Sequence, residues 1–269
     1  MNQYDAIVIG AGHNGLTNGA YLAKAGLRVA VLERNPYIGG ATVSRELHKG
    51  WYYSNCSYVS SLLRPEITRD LELPRHGLQV VPFGGGATFM RNGDHFGNYA
   101  DHDRHYREIA RHSKRDANAY DRYAADTSLQ TKLIRPYLMR TPPDPTSLKP
   151  RDLRDLMEFA QSFMSLGEEK LLDTIKFWTA SVGDYLNEYF ETDVIKAHMA
   201  GSGIIGTALG VYSPGTAYVL LHHYMGDVDG NVGAWGFARG GMGAIANALS
   251  KAFQSVSYTH LTLPTMIGV

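Results

Sequence analysis

The chain has 269 residues, with 26 Lys and Arg against 26 Asp and Glu, so its formal net charge is zero. That balance offers no footprint for nucleic acid or an anionic membrane, and no stretch is long and apolar enough to span a bilayer. The lone Cys56 excludes an intrachain disulfide framework, a CxxC redox pair and a cysteine zinc site.

At 44% hydrophobic residues the composition is that of a globular chain able to bury a core. Asp5 precedes Ala6-Ile7-Val8-Ile9, an unbroken apolar run that suits a strand buried on both faces of a parallel sheet. An opening strand this early leaves no room for a cleavable leader, so the expected location is cytoplasmic. Gly10, Gly12 and Gly15 follow at the spacing of a dinucleotide-binding turn, with Ala11 and Asn14 between them. Gly10 permits the tight turn, Gly12 lets backbone approach a pyrophosphate, and Gly15 lets the next helix pack close to the strand. The spacing predicts a helix over 13–25, stopped by Gly26, with its N-terminal amides turned to the phosphates. A second buried strand over 29–32 ends at Glu33. An acid about twenty residues past the glycines can accept hydrogen bonds from an adenosine ribose. Arg34 follows, and Gly39-Gly40 lies one short loop on. That pair is either a flexible turn or a clamp on the far side of the same pyrophosphate, a contact that extended FAD needs more than NAD does.

The segments DAIVIGAGHNGLTNGAYLAKAGLRVAVLERNPYIGG, NCSYVSSLLRPEITRDLEL and SPGTAYVLLHHYMGDVDGNVGAWGFARGGMGAIANAL resemble the FAD-dependent oxidoreductases that include phytoene desaturases and amine oxidases. Within them they resemble the phytoene-dehydrogenase-like group of pyridine nucleotide-disulphide oxidoreductase domain-containing protein two. The resemblance runs from about Tyr4 to Gln254. It implies an α/β architecture: a Rossmann-like FAD domain with an inserted, mixed and mostly helical substrate domain. The disulphide chemistry in the group's name is closed to this chain, because Cys56 has no partner.

Further along, GWYYSNCSYV (50–59) reads as an aromatic strand and turn in which Cys56 is a small buried packing residue. Pro65 starts a helix over 64–73. Residues 78–99 read as a hairpin with turns at Gly84-Gly85-Gly86 and Asn92-Gly93. The cofactor domain is expected to give way to the substrate domain at 74, with a return segment over 235–255. His102 and His105 share a helix face at a spacing that could hold a metal. The charge-dense DHDRHYREIARHSKRD around them favours a solvated face and no metal. A helix over 116–139 has Tyr120, Tyr123, Ala124 and Leu133 as inward positions, and TPPDP breaks it. Helices are expected over 150–165, 168–180, 182–190 and 193–199. Met157, Phe159, Phe163 and Met164 read as core by their spacing, or as the wall of an apolar substrate tunnel if the resemblance is followed. The glycine-rich 201–210 follows no clear strand and is not a second nucleotide fingerprint. His222, His223 and Tyr224 are the candidates for contact with substrate or flavin; the alternative is a structural role. Gly240-Gly241-Met242-Gly243 starts a helix with Ile245, Leu249 and Phe253 on one face.

The functional expectation is a phytoene-dehydrogenase-like, FAD-dependent oxidoreductase. The cofactor residues are Gly10, Ala11, Gly12, Asn14, Gly15, Glu33, Arg34, Gly39 and Gly40. The substrate is a small or apolar molecule of lipid or isoprenoid type. The alternatives are an NAD(P)-dependent oxidoreductase and a non-catalytic flavin-binding protein that acts through a partner. Residues 256–269 show no helical or strand logic. They match one reading frame of a transposase-based sequencing adapter, so a non-native tail on an N-terminal half that lacks turnover is expected.

Overall fold

The computed structural model describes residues 3–256 and 259–263, so 257–258 and 264–269 of the adapter-like tail lie outside the described residues. The chain forms two compact units, one of Met1–Phe83 with Gly226–Val269 and one of Gly84–Met225.

The first unit opens with β1 (Ala6–Ile9), α1 (His13–Lys24) and β2 (Val29–Leu32). β1 and β2 are parallel, with Val8 opposite Val31. That face carries α1, which lies so close that a Cβ on Gly19 would sit 2.9 Å from the Val31 side chain. β2 is buried as expected over Val29–Val31. β1 is not buried on both faces: Ile7 is 61% and Ile9 88% exposed, because no described element covers the other side of the sheet. β3 (Ser44–His48) and β4 (Trp51–Ser54) form a hairpin whose Trp51, Tyr52 and Tyr53 face outward. Cys56, just beyond, is exposed rather than packed, since its loop follows that outward hairpin. α2 (Pro65–Asp70) takes Pro65 as its first residue, where no amide donor is needed. β5 (Val80–Pro82) ends this segment.

The second unit starts with β6 (Gly85–Phe89) and β7 (His95–Tyr99), a hairpin turning at Met90–Asp94. Only this half of the expected 78–99 hairpin forms. Gly85 and Gly86 lie inside β6, where Gly85 is pressed against the Asn98 carbonyl. Seven helices follow: α3 (His102–His112), α4 (Lys114–Ile134), α5 (Pro150–Met164), α6 (Glu168–Thr179), α7 (Val182–Asn187), α8 (Asp193–Ala200) and α9 (Thr216–Tyr224). Their core is aromatic: the Tyr123, Tyr185, Tyr189 and Phe190 rings meet in edge-to-face and tilted pairs, with Tyr123 5.2 Å from Phe190 and Tyr185 4.7 Å from Phe177. Such pairs add about 0.5–1.5 kcal/mol beyond area burial. Asp116 is fully buried and accepts from the amides of Glu191 and Thr192 at 2.8 and 2.9 Å, tying the start of α4 to the start of α8. Ala124 points outward, unlike its expected neighbour Tyr123. On α5 the aromatic stripe turns in, with Phe159 4.6 Å from Phe163. Met157 and Met164 do not: they are 60% and 72% exposed, since they fall on the opposite side of the helix.

The chain returns to the first unit through β8 (Asp227–Val228), β9 (Asn231–Val232) and β10 (Gly236–Ala238), then α10 (Gly243–Gln254) and β11 (Thr259–Thr262). β10 pairs antiparallel with β5, which keeps residues 75–83 and 226–234 in the first unit. The unit boundaries therefore fall at 83 and 225 rather than the expected 74 and 234. Ile245, Leu249 and Phe253 of α10 are all buried, beside α1. β11 corrects the reading of the tail: its four residues pair in parallel register with β2, giving the order β1-β2-β11. An open strand edge bonds through main chain, so it accepts an extended segment without any sequence pattern.

Candidate dinucleotide site

The site is built by turns whose backbones need glycine. Gly10 leaves β1 with φ +100°, a conformation that L side chains avoid. A Cβ on Gly15 would stand 2.0 Å from the Gly10 carbonyl oxygen and 3.4 Å from Val8. Glycine there is what lets α1 start directly against the strand. Gly12 is the residue before α1, and no side chain among the described residues accepts from the amides of His13, Asn14 or Gly15. Those donors and the positive end of the helix dipole are open to an anion.

The second turn faces the first. Gly39, at φ +119°, donates its amide to the Ala11 carbonyl at 2.9 Å and pairs with Gly12 in an isolated parallel bridge. A Cβ on Gly12 would reach the Gly40 Cα at 3.8 Å and the Gly39 oxygen at 4.0 Å. Any larger side chain at Gly12 would fill the gap between the two turns. Both turns thus present bare main chain to one space, a cradle of the kind a pyrophosphate occupies.

Glu33 stands one residue past β2. Its Oε2 accepts from the Ala11 amide at 2.8 Å, and Oε1 accepts from the amide and the side chain of Asn35, each at 2.9 Å. Partial burial works to raise its pKa, but the bonds from Asn35 and Ala11 outweigh it, and the carboxyl stays below the ordinary glutamate range. Oε1 thus already accepts two bonds and Oε2 only one, so capacity for a ribose hydroxyl remains at Oε2. A fixed negative charge here also disfavours a 2′-phosphate.

The remaining candidates divide. Ala11 is fully buried, while Asn14 and Arg34 are exposed on the surface of the first unit. His13, which the sequence did not single out, occupies the first turn of α1. Burial lowers its pKa, so it adds no positive charge at neutral pH. His222, His223 and Tyr224 lie on α9 of the helical unit. Partial desolvation of the His222 ring, with the neighbouring His223, lowers its pKa. His223 Nδ1 is 2.9 Å from the Val219 carbonyl, and the Tyr224 hydroxyl points at the Met199 sulfur, 3.8 Å away in the interior. His102 and His105 do not share a ligand: His102 bonds Asp121 at 2.8 Å, whereas His105 is 2% exposed and stacks edge-on to Tyr120. The expected solvated face is wrong for His105, because Phe96 and Tyr120 close over it. Among the described residues no group of three or more His, Cys, Asp or Glu could hold a metal. No helix among them is long and apolar enough to cross a membrane.

The residues that sequence reading missed are Ser44 and Ser54. Their hydroxyls accept from Gly243 N at 2.9 Å and Met242 N at 3.0 Å. Only their facing positions across a short hairpin could have signalled them.

Residues 8–70 match the model of an NAD(P)-binding Rossmann-like domain. Pyridine nucleotide-disulfide oxidoreductase domain-containing protein 2 of Mus musculus is 37% identical over 282 residues, covering 99% of this chain and 48% of its own length. The chain spans about half the length of the curated relatives it matches. The mouse match runs past Gln254, where the resemblance was expected to stop. A limonene dehydrogenase polypeptide of Castellaniella defragrans is 36% identical over 121 residues, 45% of this chain and 22% of its own. Putrescine oxidase bound to putrescine shares the fold, with a TM-score of 0.54 at 18% identity over 97% of this chain and 51% of that one. The chain is thus similar to about half of pyridine nucleotide-disulfide oxidoreductase domain-containing protein 2 and carries a Rossmann-like dinucleotide-binding domain.

Proposed function

We propose that this chain is the dinucleotide-binding part of an FAD-dependent, phytoene-dehydrogenase-like oxidoreductase. The observation that carries the reading is the pair of facing glycine turns, Gly12 against Gly39-Gly40, with Glu33 beside them. Bound FAD would supply hydride exchange with a substrate carbon at its N5. The chain's own residues bind and orient. The His13–Gly15 amides and the Gly39-Gly40 turn hold the pyrophosphate, and Glu33 accepts from the adenosine ribose. Arg34 follows Glu33 and is exposed, so its charge would draw phosphates toward the site. No acid or base is assigned. An apolar substrate is favoured by the likeness to the limonene dehydrogenase polypeptide.

A second reading, NAD as the dinucleotide, has the match over residues 8–70 in its favour. Both readings use the same turns, and a spectrum of the purified protein separates them. FAD gives a yellow protein, and NAD a colourless one. Gly12→Val fills the cradle and is expected to abolish dinucleotide binding while leaving the fold intact. Glu33→Ala is expected to weaken binding by about 1–3 kcal/mol, the range for a hydrogen bond to a charged group. Full flavin occupancy in folded Gly12→Val would refute the site.

A further inference from the structure

The glycine-rich start of α10 is held by two hydroxyls from the β3–β4 hairpin. Ser44 and Ser54 are register partners at its root, with their oxygens 3.2 Å apart. Ser44 accepts from Gly243 N and Ser54 from Met242 N. Main chain lies directly on the hairpin here: a Cβ on Gly241 would sit 2.5 Å from Ser44 Oγ, and one on Gly243 3.0 Å from Ser44 N. α1 keeps its first amides open; α10 has its first amide and that of the residue before it, Met242, taken. That difference sets a role for the serines. One turn into α10, the Ala246 methyl is 3.4 Å from where a Gly39 Cβ would be. Gly39 in turn bonds Ala11, and a Cβ on Gly40 would stand 3.3 Å from the Gly12 Cα. α10 thus neighbours both the serine-bearing hairpin and the Gly39-Gly40 turn, which in turn lies against Gly12.

We propose that Ser44 and Ser54 are positioning residues for the dinucleotide, fixing the first turn of α10 so that Ala246 holds Gly39-Gly40 against Gly12. The proposal rests on the dinucleotide reading above. Neither serine needs to touch the ligand. Each hydroxyl accepts one amide and one of them donates to the other, so removing either disturbs the bond its partner makes. The pair therefore acts as one unit.

The test uses the full chain with Ser44→Ala, Ser54→Ala, the double variant and Ser44→Thr. Two quantities are read: FAD affinity by quenching of flavin fluorescence, and amide hydrogen exchange at Gly39, Met242 and Gly243. Each alanine is expected to weaken FAD about tenfold, as one lost hydrogen bond in a positioned site does. The double variant is expected to lose well under a hundredfold, because the two losses overlap. Ser44→Thr restores affinity, and Gly39 exchanges faster in both alanine variants. A purely structural pair would lower the melting temperature yet leave Gly39 exchange and the affinity of the folded protein unchanged; that result overturns the proposal. Should the parent chain bind no dinucleotide, the functional reading fails and Gly39 exchange alone decides the coupling, with no change counting against it. If an alanine variant does not fold, Ser44→Cys, a weaker acceptor, gives the same two readouts.

Discussion

The two units are specified by different parts of the chain. In the first, main chain does most of the positioning: Gly10, Gly12, Gly15, Gly39 and Gly241 sit where a side chain would collide with its surroundings, strain the backbone or fill the cradle. In the second, side chains do it. Rings from α4, α6 and α7 interlock, and one buried carboxylate ties α4 to α8. A unit organised by backbone fails when atoms are added. A unit organised by side chains fails when atoms are removed or charged.

The sharpest break of that contrast is Gly15→Ala. One methyl carbon would be forced to 2.0 Å from a carbonyl oxygen, in a place where neither backbone can yield. Expected destabilisation is about 3–5 kcal/mol, at the upper end for overpacking, read as a loss of the cooperative urea transition in the first unit. Gly12→Val adds more atoms within the same motif yet is expected to fold. If Gly15→Ala melts like the parent, the backbone account is wrong.

In the helical unit the counterpart is Asp116→Ala. It removes the acceptor of the partly buried Glu191 and Thr192 amides, at about 1.5–3 kcal/mol for each hydrogen bond to a charged group, less where water replaces it. A denaturant midpoint unchanged from the parent would show that water replaces the carboxylate and that the tie is not structural.

Charge offers a gentler probe. Burial, helped by the nearby His198 and His102 charges and opposed by Glu108, pushes His105 down to about 4 from an ordinary 6.5. The folded state therefore keeps His105 neutral while the unfolded chain takes up a proton below pH 6.5. Stability of the helical unit is complete above pH 6.5 and falls as pH drops from 6.5 toward 4, by up to about 3 kcal/mol. Thermal melts across that window check it. His105→Phe is expected to flatten the profile, and an unchanged slope would point to another group.

The smallest effect is expected at β11. Its pairing with β2 is main-chain bonding, and neither Thr259 nor His260 is buried. Thr259→Ala with His260→Ala should shift stability by less than about 0.5 kcal/mol. A larger loss would mean that the Tyr4–His260 ring contact matters more than the backbone ladder.

Legibility in the sequence follows the same division. The glycine turns, α1, β2 and the buried face of α10 were readable because steric need and helical period leave a mark on residue type. The helix sequence of the second unit was readable within a residue or so for α5, α6 and α8, for the same reason. What could not be read was pairing at a distance. Nothing in Val80–Pro82 says that its partner is Gly236–Ala238 and not the next strand. Nothing in Ser44 or Ser54 says that an amide lies 199 or 188 residues on. Exposure was misjudged where an apolar residue has no described neighbour, at Ile9, Met157 and Met164, and where the hairpin carries Cys56 outward.

The bare side of the small sheet bears on how a cell would treat this polypeptide. Ile7, Ile9 and Leu32 form a greasy strip beside β1, whose outer edge has no strand partner among the described residues. Holdase chaperones bind such strips, and amyloid-type stacking begins at such edges.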